Sequence, residues 1–261
     1  MYFAPGNSHA PHHASKDWIA RCKAQFDQGW DKVHEETLVR QKKLCVVPHA
    51  TMLTPRPNEI PAWDTLSPDQ KKVYARMMEV YAAATAQSDH EIGRILDALQ
   101  KSGQLDNTLV IYLEGDNGAS AEGTMHGTTN EISAQYAPES IEYLVSMIDE
   151  LGGDRTYNHY PIGWAHAMNT PFQWTKQVAS HFGGTRNAMF VSWPKVIKDR
   201  GKKRSQFHHC IDVMPTLMEV VGISEPREVN GYIQRPIEGT SFAYTFARGA
   251  DKLPSTRTQQ Y

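Results

Sequence analysis

The stretch TLVIYLEGDNGAS, residues 108–120, decides how the chain is read. Thr108 to Leu113 has the β-branched and apolar composition of a strand, and a turn at Asp106 and Asn107 precedes it. The strand runs into Gly115, Asp116, Asn117 and Gly118, which admit two readings. Asp and Asn are turn formers whose side chains fold back on their own backbone. They are also hard oxygen donors for Ca²⁺ or Mg²⁺, and flanking glycines let a backbone bend around an ion. In open α/β sheets ligands gather outside the carboxyl ends of strands, and Asp116 and Asn117 occupy such an end.

Working outward, Ser67-Pro68-Asp69-Gln70 has the form of a capping box with proline at the first helical position. Val73, Met77, Val80, Tyr81, Ala84, Ile92, Ile95, Leu96 and Leu99 follow at helical spacing, which predicts a long helix ending near Gly103. Residues 17–44 predict one or two short amphipathic helices broken near Gly29, and the proline-rich 46–66 an irregular connection. Further helices are expected over 140–151, 172–181 and 211–221, and a strand over 188–193 that Pro194 stops. Residues 118–138 and 152–171 lack periodicity and read as loops lining a pocket. Strand, helix and strand in this order indicate an α/β fold with an open sheet.

Composition narrows the class. The 27 basic and 29 acidic residues give a net charge of -2, which argues against a nucleic-acid partner. No apolar run approaches the roughly 18 residues a membrane helix needs, and the first residues lack the regions of a signal peptide. The chain therefore reads as soluble, without a membrane partner. Cys22, Cys45 and Cys210 are odd in number and widely spaced, so free thiols are expected rather than a disulfide framework or a zinc ribbon.

Four blocks, YFAPGNSHAPHHA at 2–14, GDNGASAEG at 115–123, HFGGTRN at 181–187 leading into AMFVSWP, and HHCIDVMPTLMEVVGI at 208–223, together resemble the type I, formylglycine-dependent arylsulfatases of the alkaline phosphatase superfamily, the bacterial members in particular. The resemblance implies a three-layer alkaline-phosphatase-like sandwich with a mostly parallel sheet, incomplete here, and hydrolysis of a small-molecule sulfate ester with one Ca²⁺, Mg²⁺ being the other hard cation that fits. It matches Asp116 and Asn117 to the family's metal-binding pair, His9 in SHAP to its sulfate-contacting histidine, and Lys176 in WTKQVASHFGGTR to its sulfate-contacting lysine. A cationic lysine and a proton-donating histidine suit an anionic ester whose leaving oxygen gains charge. His126, His159 and His166, with Tyr157, Tyr160 and Trp164, lie in the two expected loops; the aromatics either stack on an aryl group or anchor the loops to the core. His208 and His209 are expected to cap or pack.

The Cys/Ser-x-Pro/Ala-x-Arg motif that yields formylglycine does not occur in these residues. The resemblance therefore implies that residues 1–261 are a middle-to-late part of a sulfatase catalytic domain, inactive by itself. Two alternatives stay open: a phosphate or phosphonate monoester hydrolase of the same superfamily, and a truncated, non-catalytic pseudoenzyme. Two-zinc phosphatases pair Asp with His where this chain has Asp-Asn, and zinc favours nitrogen and sulfur over an amide oxygen.

Overall fold

The computed structural model describes residues 1–259. They divide into two compact units, one made of Met1–Ala98 with Leu113–Met189, the other of Leu99–Tyr112 with the chain from Phe190 on. No helix among the described residues is long and apolar enough to cross a membrane.

The first unit holds helices α1 (Lys16–Arg21) and α2 (Gly29–Lys43) and the long α3 (Pro68–Lys101) as far as Ala98. The capping box forms: Ser67 Oγ accepts from the Gln70 amide at 3.2 Å, and Gln70 Oε1 accepts from the Ser67 amide at 2.9 Å, which satisfies two amides that a helix start leaves unpaired. α3 buries Val73, Tyr74, Met77, Val80, Ala83 and Ala84. Trp30 of α2, Trp63 and Trp164 close over this stripe, with ring centroids 4.9 Å apart for Trp30–Trp63 and 5.8 Å for Trp30–Trp164. The break before α2 is explained by Gly29, whose φ is +81° and where a Cβ would lie 2.1 Å from the Trp63 ring.

Short helices follow: α4 (Glu131–Ala134), α5 (Ile141–Ser146), α6 (Ile162–Met168) and α7 (Phe182–Thr185). α6 lies within 152–171, where the sequence predicts only loop, and packs on α2. Trp164 of α6 and Tyr160 are almost wholly buried, so both anchor this segment to the core. Trp164 Nε1 donates to the Tyr74 carbonyl at 2.9 Å. The helix expected over 172–181 does not form: Trp174 and Gln177 adopt left-handed φ values of +66° and +75°, which no right-handed helix contains.

Strands β1 (Val110–Glu114) and β2 (Ala188–Ser192) pair in a two-stranded sheet. In the second unit an antiparallel hairpin joins β3 (Glu228–Val229) to β4 (Tyr232–Ile233) through Asn230 and Gly231, both at positive φ, the backbone a tight hairpin turn requires. Helix α8 (Val213–Val221) follows a turn that His209 caps, its Nδ1 accepting from the Ile211 amide at 3.3 Å, while His208 packs on Phe242 at 5.2 Å. Asp212, fully buried, accepts from Arg257 Nε at 2.7 Å and from the Thr240 amide at 2.7 Å. Burial alone would raise its carboxyl pKa, but these donors hold it below the usual carboxylate range.

Two expectations follow for stability. Trp164→Ala removes a core indole and its hydrogen bond, and should cost about 3–5 kcal/mol, read as a lower urea midpoint. The second concerns His12, His159 and His166, all buried. Burial holds His12 well below the ordinary imidazole value, and His159 and His166 at about 4. All three are neutral in the folded chain at pH 7. Unfolded imidazoles take a proton near pH 6.5, so from about 6.5 down to about 4 the unfolded state binds more protons and stability falls with pH. The urea midpoint should be lower at pH 5 than at pH 7, and His166→Gln should narrow that gap.

Candidate active site

The site is built in the first unit on the loop that leaves β1. Gly118 has φ +83°, and a Cβ there would lie 1.8 Å from the Gly183 carbonyl oxygen, so the loop rests directly on the backbone at the start of α7. Asn187 fixes the same point, its Oδ1 accepting from the Gly118 amide at 3.0 Å. Asp116 and Asn117 precede this contact and are exposed. Neither side chain takes a hydrogen bond among the described residues, so the Asx-turn that their composition also allows is not made. A carboxylate and an amide carbonyl free at a strand end have the chemistry of hard-cation donors.

Beyond the glycine contact the loop meets Lys176. The Lys176 amide donates to the Ala119 carbonyl at 2.9 Å, and its ammonium reaches Glu122 Oε2 at 2.8 Å and His9 Nε2 at 3.1 Å. His9 and Lys176, 167 residues apart in the chain, are therefore brought together, and Lys176 is tied to the loop that carries Asp116 and Asn117 through Ala119 and Glu122. The His9 tautomer follows from its partners: Nδ1 lies 2.9 Å from the Ala10 carbonyl, which can only accept, so Nδ1 carries the proton and Nε2 accepts from Lys176.

Two carboxylates complete the cluster. Ligand atoms of His9, Glu122 and Glu131 all lie within 4.8 Å of one another. The Lys176 hydrogen bond, with help from Ser120 and against partial burial, lowers the Glu122 carboxyl below its ordinary range. Glu131 moves the other way, raised first by burial and then by the charge of Glu122. His159, buried, donates from Nδ1 to the Tyr160 carbonyl at 2.8 Å and turns Nε2 toward Glu131 Oε2 at 3.9 Å. Two bridges, Thr128 with His159 and Asn130 with Tyr157, zip the segment before α4 to the segment before α6 and so fix both groups.

Of the other histidines singled out in sequence, His126 bonds the Tyr74 hydroxyl and His166 packs at a tilt against His34 in the interior, 4.4 Å between centroids. Glu122 and Glu131 were not singled out. The available signal for Glu122 is its place in the glycine-rich GDNGASAEG block, six residues after Asp116; for Glu131 no local signal exists.

Comparison with known proteins bears on this geometry. A family model described as Sulfatase matches residues 1–223. The chain is 30% identical over 236 residues to an arylsulfatase of Klebsiella aerogenes, covering 90% of this chain and 48% of that protein. It is 30% identical over 219 residues to an uncharacterised sulfatase of Schizosaccharomyces pombe, covering 84% and 38%. An N-acetylglucosamine-6-O-sulfatase of Bacteroides thetaiotaomicron is 21% identical over 164 residues, or 63% of this chain and 20% of that protein. The chain thus spans about half or less of the length of these relatives. With the model covering residues 1–223 and the four sequence blocks falling in that range, the chain belongs to the sulfatase family.

Proposed function

We propose that these residues form the sulfate-binding and leaving-group side of a sulfuric ester hydrolase acting on a small aryl sulfate, within an alkaline-phosphatase-like sandwich. The observation that carries this reading is the hydrogen bond between Lys176 Nζ and His9 Nε2 at 3.1 Å, with Lys176 also bonded to Ala119 and Glu122 of the loop that follows Asp116 and Asn117. Hydrolysis breaks the S–O bond, and negative charge grows on the ester oxygen as it leaves. An ammonium held beside an imidazole nitrogen meets that charge, and the pair provides a place to hold the proton the departing oxygen must gain. Asp116 and Asn117 would hold a Ca²⁺ ion, with Mg²⁺ as the other hard cation. When bound, such an ion withdraws electron density from sulfate oxygens.

The nucleophile is the other half of the reaction. No Cys/Ser-x-Pro/Ala-x-Arg motif lies in these 261 residues, and we infer that they do not turn over aryl sulfates by themselves. The name of the Klebsiella relative supports an aryl leaving group, and the amide at Asn117 supports one hard cation over a zinc pair.

The test is turnover of nitrophenyl sulfate and nitrophenyl phosphate by these residues alone and in a protein that also carries the formylglycine motif. The longer protein should hydrolyse the sulfate in preference, and His9→Ala or Lys176→Ala should each lower kcat/KM by about 10²–10³-fold. Asp116→Ala should raise the Ca²⁺ concentration needed for half-maximal activity. Turnover by residues 1–261 alone, abolished by Asp116→Ala, would overturn the division of labour; unchanged rates in the His9 and Lys176 variants would overturn the assignment of the pair.

A further inference from the structure

Lys176 is flanked by two strained residues. Trp174 and Gln177 both sit at left-handed φ, +66° and +75°, a conformation that is unfavourable for a non-glycine residue and persists only where its surroundings over-determine it. Three contacts do so here. The Lys176 amide is tied to the Ala119 carbonyl at 2.9 Å. The Glu122 carboxylate then takes both neighbouring side chains: Oε2 accepts from Lys176 Nζ at 2.8 Å and Oε1 from Gln177 Nε2 at 2.9 Å. Ser120 Oγ donates to Glu122 Oε2 at 2.8 Å and accepts from the Glu122 amide at 3.1 Å, which locks the carboxylate to the loop that begins at Asp116.

The cluster of His9, Glu122 and Glu131 has the spacing of a metal site, yet its positive charge is already present as the Lys176 ammonium, bonded to two of the three members. A lysine four carbons long has more than one place to put its charge. The one it takes is set by where the acceptors are, and Glu122 is the acceptor that is itself held from three directions.

We propose that Glu122 is a positioning residue: its carboxylate spans Lys176 and Gln177, holds the strained 174–177 turn, and presents the Lys176 ammonium to His9 Nε2. It thereby couples the Asp116–Asn117 loop to the His9–Lys176 pair through one side chain. This rests on the sulfatase reading and deepens it, and a hydrogen bond within the chain reports on it without sulfate or turnover.

The test is nitrogen-15 and carbon-13 NMR on this chain, with Glu122→Gln, Glu122→Asp and Lys176→Met. In the wild type His9 should show the Nδ1–H tautomer with Nε2 shifted upfield by an accepted hydrogen bond, and Lys176 should give a slowly exchanging ammonium signal. Glu122→Gln should move the His9 Nε2 signal downfield to a free imine and abolish the Lys176 signal, while Glu122→Asp retains part of both. A second measurement does not need the Glu122 variants to fold: in Lys176→Met, the Glu122 carboxyl, depressed in the wild type by the Lys176 hydrogen bond, should titrate higher. Unchanged His9 and Lys176 signals in a folded Glu122→Gln chain, or an unchanged Glu122 titration in Lys176→Met, would overturn the proposal. Because the readout is a hydrogen bond within the chain, a sulfatase assay that fails leaves this result standing, and the reverse also holds.

Discussion

Backbone lies directly on backbone where the loop after β1 meets the segment leading into α7, and the site depends on that contact. A Cβ at Gly118 would lie 1.8 Å from the Gly183 carbonyl oxygen, and one at Gly183 would lie 1.9 Å from the Trp174 carbonyl oxygen. Three stretches of chain are thereby stacked without a side chain between them. Only at that separation does the Lys176 amide reach the Ala119 carbonyl and the Lys176 ammonium reach Glu122. Glycine is thus required at Gly118 for two independent reasons, the positive φ and the missing Cβ. The GDNG and HFGG blocks, far apart in sequence, are two faces of one contact.

The distribution of charge follows from this packing. Lys176 enters a region that already holds an imidazole and two carboxylates, and its side chain is only 15% exposed. A partly buried ammonium is stable when its hydrogen bonds are satisfied, and Glu122 and His9 satisfy two of its three donors. Asp116 and Asn117 stand outside this balance, exposed and bonded to nothing among the described residues. The Lys176 charge is therefore fixed by the fold, whereas the oxygens of Asp116 and Asn117 are left open at the strand end.

Much of this was legible in the sequence because it rests on local rules. The α3 start is a capping box, β1 is a β-branched run, and Asp116–Asn117 follows where that strand ends; each needs only a few neighbouring residues. Three features escaped, each for a physical reason. α6 is buried on nearly every side, with Gly163 through Ala167 all inaccessible, so it lacks the polar face by which a helix announces itself. The 172–181 segment has helical composition, but tertiary bonds to Ala119 and Glu122 hold Trp174 and Gln177 out of helical φ. The Asn230-Gly231 hairpin carries a strong turn signal, and was missed because its strands are two residues each. The candidate site residues divide in the same way: His9, Lys176, Asp116 and Asn117 are expected from motif resemblance, whereas Glu122 and Glu131 are picked out by what they touch across the fold.

Those two carboxylates show how one small region gives like groups unlike behaviour. Glu122 is surrounded by donors, from Lys176, Gln177 and Ser120, and is held ionised. Glu131 has burial, the negative charge of Glu122 nearby, and a buried Oε2 with no hydrogen-bond donor. It faces the Nε2 of His159, whose proton is committed on the far side of the ring to the Tyr160 carbonyl. Two lone-pair atoms facing each other across 3.9 Å repel unless a proton lies between them. Protonation therefore falls on Glu131 before Glu122. The ionised one holds Lys176, and the more readily protonated one lies within 4.8 Å of His9.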